Sequence, residues 1–349
     1  MTSSTRAIRA PQLALRTRAV LERATAITLL AAIAVWLLLN LVHAPTQFFQ
    51  AGVEGLANGT LYALIALGYT LVYGIIELIN FAHGDLFMLG TLFSGFLVTT
   101  VLGLRASNLT GWLGFILTLL AAMAFCAIIN VTIEFLAYRR LRRAPKLAPL
   151  ITAVGMSFIL QQIGLKWNGS QPKQWPSVLP AGHLTIGGVT IDYDTLIVAA
   201  TTAVLLVLMT WVVTKTRAGK AMRATAQDQD AARLMGINVN RTISFTFALG
   251  GALAGAAGVM YQQTIGTTSY NLGFQMGLIA FTAAVLGGIG NLTGAVMGGL
   301  LIGLIQGLND GLPYGLGQKW SQSVVFTVLI LVMVFKPTGL LGQNVGEKV

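Results

Sequence analysis

Glu77, Asn80, His83 and Asp85 fall within nine positions at the end of a long apolar run. Ionisable groups at membrane depth are expensive, and where they occur they mark a pathway, an ion pair or a hinge. His83 and Asp85 are close enough in sequence to share a hydrogen bond. A plainer alternative is a turn at a membrane edge, in which Asp85 caps the helix that follows. Upstream, Asn58, Thr60, Tyr62, Tyr69, Thr70 and Tyr73 place hydroxyl and amide groups along the apolar run itself. Asn58, Tyr62, Tyr69 and Tyr73 stand at i, i+4, i+11 and i+15, which puts them on one helical face. Such a face must look at a cavity or at another helix. The candidate substrate path is therefore Asn58, Tyr62, Tyr69, Asn80, His83 and Asp85. Glu54, nearer the start of the run, is a gate or an interfacial charge.

A second cluster is chemically different. Arg217 to Arg241 is far more polar than the sequence around it. Ala221–Ala226 and Gln229–Met235 favour helix, and Gly236 is a good stop. Leu234, Met235 and Ile237 form a compact apolar tip. Helix connections in bundles need only about 2–8 residues, so this one does more than connect. Its pattern suits docking in a groove of a cytoplasmic partner; the alternative is an amphipathic helix lying on the membrane with no partner. The residues assigned to this coupling role are Arg217, Gly219, Arg223, Asp228, Ala232, Leu234, Met235, Gly236 and Ile237.

Catalytic signatures are missing. Gly219-Lys220-Ala221 lacks the loop and the hydroxyl of a nucleotide-binding P-loop. No H-E-x-x-H, G-x-S-x-G or paired-aspartate intramembrane motif occurs. The single cysteine, Cys126, lies in an apolar run and reads as a small core residue. No Cys/His spacing fits a metal. The chain is expected to be no enzyme and to bind no cofactor or metal itself.

The elements that must position these groups follow from composition. Of 349 residues, 55% are hydrophobic and 9% charged, against about 25% charged in a soluble domain. The bilayer is the solvent that suits such a chain. The net charge of +11 comes from clusters between apolar runs, a positive-inside pattern, and no base-stacking module accompanies it, so nucleic acid is not expected as a partner. At about 20 apolar residues per crossing, ten candidate spans lie near 25–43, 50–74, 84–104, 111–137, 148–166, 195–213, 243–262, 274–289, 294–311 and 320–335. The expected fold is an all-α polytopic bundle of about 8–10 membrane helices, with broken or re-entrant segments around spans two and three and around Gly287–Gly294.

A basic cytoplasmic segment, 1–24, carries Arg6, Arg9, Arg16, Arg18 and Arg23. The run from Thr25 resembles a signal peptide in its flank, but it is long enough to span and no small-x-small site follows, so it reads as a retained helix. Threading from a cytoplasmic N-terminus puts Arg139–Arg143 with Lys146, the loop 214–242 and Lys336 on the same side. It leaves a periplasmic loop, 166–194, with Trp167 and Trp175 as interfacial aromatics or a docking surface. A cytoplasmic tail, 341–349, follows the 25–340 membrane domain. Gly299, Gly303, Gly307 and Gly311 form a small-xxx-small ladder echoed by Gly251 and Gly255; these glycines read as helix packing. Ala63–Gly90 and Leu278–Gly303 each run helix, Asn/Gly-containing break, helix, which points to a parallel internal repeat.

Three motifs, taken in order, carry a family resemblance. Asn58-Gly59-Thr60-Leu61-Tyr62-Ala63-Leu64-Ile65-Ala66-Leu67-Gly68 with Ile79-Asn80-Phe81-Ala82-His83-Gly84-Asp85 resembles the first half of branched-chain amino-acid ABC transporter permeases of the LivH type. Arg223–Asp228 through Leu234–Asn238, followed by Phe245 to Gly258, resembles their coupling loop and next helix. Ala284–Asn291 resembles their second-half signature. The likeness covers roughly residues 50–340. It implies a subunit of a bacterial inner-membrane importer working by alternating access. It also implies a second homologous permease, two cytoplasmic ATPases that bind ATP and Mg, and a periplasmic binding protein, with membrane lipid around the bundle. Urea, short amides or another amino acid are alternative substrates within the family. An ion-coupled transporter would need midplane acids, and a channel a charged or carbonyl-rich filter; neither pattern is evident.

Overall fold

The computed structural model describes residues 24–25, 27–28, 31–78, 80–103, 109–142, 144–145 and 147–342. All but Ala24 of the basic N-terminal segment, all but Leu341 and Gly342 of the tail, and Ile79, Arg143 and Lys146 lie outside them.

The chain is a helical bundle. In order, α1 covers Ala31–His43, α2 Pro45–Ile76 and α3 Ala82–Phe96, extended by a π-helical turn Leu97–Val101. Next, α4 covers Leu109–Ile133 and continues through the π-helical turn Glu134–Tyr138 to Arg139–Leu141. Then come α5 Leu147–Asn168, the strands β1 Lys173–Gln174, β2 His183–Ile186 and β3 Val189–Asp192, and α6 Tyr193–Lys215. Two short helices follow, α7 Arg217–Gln227 and α8 Gln229–Leu234. The remainder is α9 Val239–Thr264, β4 Thr267–Thr268, α10 Leu272–Gly287, α11 Leu292–Gly311, a 3-10 turn Gln318–Trp320 and α12 Ser321–Phe335.

Each predicted span therefore has a helix, and among the described residues eight helical segments are long and apolar enough to cross a membrane. The two shorter ones are α1 and α10. The 16 residues of α10 rise only about 24 Å, less than the ~30 Å hydrocarbon core.

Contacts between loops sort them to two ends. At one end Gln50 on α2 bonds the Thr190 backbone of the β2–β3 hairpin, β1 pairs with β4, and Trp36 Nε1 donates to the Tyr314 carbonyl at 2.6 Å. At the other, Arg142 donates to Asn240 at 2.8 Å, and the Leu340 and Leu341 amides donate to Leu286 and Gly287. Successive helices run in alternate directions between these ends, as the apolar runs alone required.

The centre is α2, α3, α9, α10 and the inner face of α11; α4, α5, α6 and α12 flank it. Residues such as Leu117, Ile151, Val207 and Val334 are exposed outward, as befits helices that face lipid. Glycine decides how closely the centre packs. A Cβ on Gly303 would lie 2.2 Å from Gly59 backbone atoms, one on Gly299 2.5 Å from Ala63, and one on Gly307 2.4 Å from Gly55, so α2 and α11 touch backbone to backbone. Gly251 and Gly255 likewise set α9 on the Cys126 and Ala122 carbonyls of α4.

The two stretches read as a repeat share their helix–break–helix order but differ in reach. Their first helices have 32 and 16 residues, and only the second pair folds tightly on its own break, with Gly287 against Gly294.

Candidate functional site

Different sides of α2 border three separate spaces in succession along its length. Its first half lines a cavity of about 360 Å³, with Gln50, Glu54, Asn58 and Leu61 on one side, Thr190–Asp192, Thr195 and Val198 on another, and Thr264 and Ile265 closing it. Its last turn borders a second cavity of about 320 Å³ at the opposite end, where Ile75, Ile76 and Glu77 face Thr225–Gln229. Between them along the helix is a pocket of only about 10 Å³ lined by Tyr69, Thr70, Tyr73, Asn80, Phe281, Ala284 and Ile289. Leu64 and Ile65 are buried in the intervening turns, and the Tyr62 hydroxyl donates to Gln306 Oε1 of α11 at 2.8 Å. Asn58 thus borders the first cavity, Tyr62 crosses to α11, and Tyr69 with Asn80 reaches the small pocket.

The break after α2 folds back into the bundle. Glu77 takes a left-handed conformation (φ 52°) and ends the helix, its amide donating to Tyr73. The chain then begins α3 with His83 against Gly68, eight residues before the end of α2, or about 12 Å inward along that helix. His83 is fully buried, edge-on to the Tyr69 ring at 4.7 Å. Asp85 is also buried and accepts from the Ser157 hydroxyl of α5, which in turn accepts from Gln161 at 3.1 Å. Asn80 Oδ1 accepts from the Tyr138 hydroxyl of α4 at 2.9 Å.

Two readings of these residues are corrected. His83 and Asp85 share no hydrogen bond, because positions i and i+2 on a helix point to different sides; one meets α2 and the other α5. Nor does Asp85 cap α3. Phe81 occupies the cap, and Asp85 Oδ2 accepts from the Ser157 hydroxyl instead.

The polar segment forms α7 and α8, each with a side-chain cap. The Thr216 hydroxyl accepts from the Gly219 amide at 3.1 Å. Asp228 Oδ1 accepts from Asp230 and Ala231 amides at 2.8 and 3.0 Å and so starts α8. Gly219 sits where a Cβ would meet the Val213 carbonyl at 2.1 Å, and Arg223 donates to that same carbonyl. Met222, Thr225 and Ala232 are buried against the bundle, while Arg217 and Arg233 face out. Leu234 and Met235 are 89% and 82% exposed, and Gly236 at φ 81° turns the chain back. Ile237 is not part of that exposed tip, since it packs on the core. The connection is also shorter than expected: 214–215 belong to α6 and 239–242 to α9. At the other end α5 runs to Asn168, so the loop is 169–192, and Trp167 belongs to a ring cluster with Phe96 and Phe125.

Two features escaped the sequence reading. Glu134, fully buried on α4, pairs with Arg139 at 2.8 Å and with Arg142, and accepts from Ser244 of α9 at 2.8 Å. The signal was a lone Glu in an apolar run with Arg residues five and eight positions on; the π-helical turn brings all three together. Trp175 was read as an interfacial or docking residue, yet its indole covers Gly95 of α3. Behind it Val178 and Leu179 are buried, and Gln262 and Gln263 bond the Pro176 carbonyl and the Val178 amide. The loop is pinned into the end of the bundle.

Among the described residues no group of His, Cys, Asp or Glu is placed to hold a metal.

Comparison with known proteins places this geometry. The family described as branched-chain amino acid transport system / permease component matches residues 52–334. The chain is 39% identical over 309 residues to the high-affinity branched-chain amino acid transport system permease protein BraD of Pseudomonas aeruginosa, covering 87% of this chain and 98% of the relative. It is 38% identical over 306 residues to the corresponding permease protein LivH of Escherichia coli K12, covering 86% and 98%. A partial likeness, 29% over 156 residues, joins it to the autoinducer 2 import system permease protein LsrC of Salmonella paratyphi B, covering 43% of this chain. No solved structure matches.

Proposed function

This chain belongs to the family of branched-chain amino acid transport system permease components, and we propose that it forms part of the membrane path of an ABC importer for branched-chain or chemically similar amino acids. It is a multi-pass membrane protein and a transport subunit rather than an enzyme.

The observation that carries the reading is the family match over residues 52–334, and the spaces spaced along α2 are in keeping with it. A cavity lies at each end of the helix, and only a pocket of about 10 Å³ lies between, on a different side of it. Alternating access requires a path that is never open at both ends at once. The Glu77 cavity is walled by the junction of α7 and α8, so movement of those helices acts directly on that mouth. A zwitterionic substrate needs few fixed charges in the path, in keeping with Asn58, Tyr62, Tyr69 and Asn80.

The remaining assignments follow from the same reading. The α7–α8 end is cytosolic, together with both termini, because the Lys and Arg clusters lie there, and the membrane is the bacterial inner membrane. Leu234 and Met235 dock in an ATPase subunit; two such subunits bind the ATP and Mg. A second homologous permease completes the pathway. A periplasmic binding protein delivers substrate at the β2–β3 end.

The test is uptake by proteoliposomes holding this chain with its partner permease, ATPases and binding protein. Leucine should enter only with ATP and all components, and leucine, not urea or an aliphatic amide, should compete. Thiol labelling of a Leu234→Cys variant should occur from the cytosolic side. Uptake by the chain alone on an ion gradient, or labelling from outside, would sink the proposal.

A further inference from the structure

The small pocket between Tyr69 and Asn80 is chemically one-sided. Buried polar groups are normally hydrogen-bonded, yet Thr70 Oγ1 and Asn80 Nδ2, in residues 1% and 2% exposed, have no hydrogen-bond partner. The Asn80 acceptor is already taken by Tyr138, so what the amide presents is its donor. Thr70 adds a hydroxyl, and the Tyr69 and Tyr73 side chains complete the polar wall. Among the described residues no carboxylate lines this space; the nearby Asp85 gives one oxygen to the Ser157 hydroxyl.

The pocket also lies where a helix begins inside the bundle. Asn80 immediately precedes the first turn of α3, a 15-residue helix. No residue of that first turn lines the pocket, and the His83 amide already donates to the Asn80 carbonyl at 3.1 Å, so what α3 offers the space is the positive end of its dipole rather than free amides. Broken helices at membrane depth in transporters present such ends to anionic substrate groups. At about 10 Å³ the space holds at most one water. Its other wall is Phe281, Ala284 and Ile289, from α10 and the turn beyond it, so it enlarges when α10 draws away from α2.

We propose that Thr70 and Asn80, beside the positive end of α3, form a subsite for the carboxylate of a zwitterionic substrate, constricted in this state and widened as the substrate passes. The inference rests on the transport reading above and names the substrate group that reading leaves open. Neutral donors and a helix end hold a carboxylate without a fixed cation, so the group is released when the donors part.

The experiment uses the full reconstituted assembly with saturating leucine-loaded binding protein. Leucine uptake and ATP hydrolysis are measured for the wild type and for Thr70→Val, Thr70→Ser and Asn80→Asp. Thr70→Val keeps the shape and removes the donor; Asn80→Asp keeps the acceptor for Tyr138 and opposes a carboxylate. Each should lower leucine uptake about tenfold, the value of roughly one charge-assisted hydrogen bond, while loaded binding protein still stimulates ATP hydrolysis. Thr70→Ser should transport nearly as the wild type. Uptake unchanged in both Thr70→Val and Asn80→Asp marks a buried-water position and overturns the subsite. Loss of ATP hydrolysis in step with uptake, without rescue by Thr70→Ser, marks a packing role and overturns it too. A wild-type assembly that moves no amino acid overturns the transport reading, and the subsite with it.

Discussion

The His83 ring occupies the notch left by Gly68: a Cβ on that glycine would lie 2.4 Å from His83 Nε2. This contact ties the start of α3 to the middle of α2 and holds the break between them inside the bundle. The Tyr69 ring, edge-on at 4.7 Å, closes the other side.

Gly68→Ala should therefore destabilise the protein by about 1–3 kcal/mol through overpacking. Thermal unfolding of the detergent-purified protein measures it. Adding His83→Ala should recover part of the loss, because the atoms that collide are those of the imidazole. A double variant no better than the single one would show that the notch serves another neighbour.

The α2–α11 contact predicts a sharper contrast. Gly303→Ala puts a methyl group 2.2 Å from Gly59 backbone atoms, which cannot give way as a side chain does. The helices must separate, and the yield of folded protein should fall steeply. Gly52→Ala, on the same helix pair but with nothing within 4 Å of its Cβ position, should be neutral or gain up to about 1 kcal/mol from helix propensity. Equal behaviour of the two variants in size-exclusion and melting profiles would contradict backbone-to-backbone packing.

Glu134→Gln leaves Arg139 and Arg142 facing each other without their shared carboxylate. Removing one partner of a fully buried pair costs about 3–5 kcal/mol. Both guanidinium groups keep some access to water here, with side-chain exposures of 31% and 13%, so about 1–3 kcal/mol is expected. Glu134→Asp should fall between the variant and the wild type in melting temperature. No change in either would mean the network adds nothing to stability.

Asp228→Ala removes the cap of α8 and should cost that helix about 1 kcal/mol. Gly236→Ala meets no neighbour but must adopt φ 81°, a strain of similar size. Both variants should insert normally, hydrolyse ATP in the assembly and take up markedly less leucine per ATP. Wild-type coupling in both would count against α7–α8 as the lever.

By itself the sequence determined the solvent, the order of the crossings and which loops share an end of the bundle. These properties are local: twenty apolar residues in a row have only one comfortable environment, and clustered Lys and Arg orient what lies between them. The helices α7 and α8 and the stop at Gly236 were legible for the same reason, since helix propensity and a left-handed glycine act within a turn or two. Tertiary structure alone decided which polar side chains meet. Asp85 finds Ser157, Asn80 finds Tyr138 and Glu134 finds Ser244, partners 72, 58 and 110 positions apart. In lipid a polar group has no water to fall back on and must be answered by another helix. Which helix supplies the partner is settled by small-residue packing across the whole bundle, and no window of sequence contains that information.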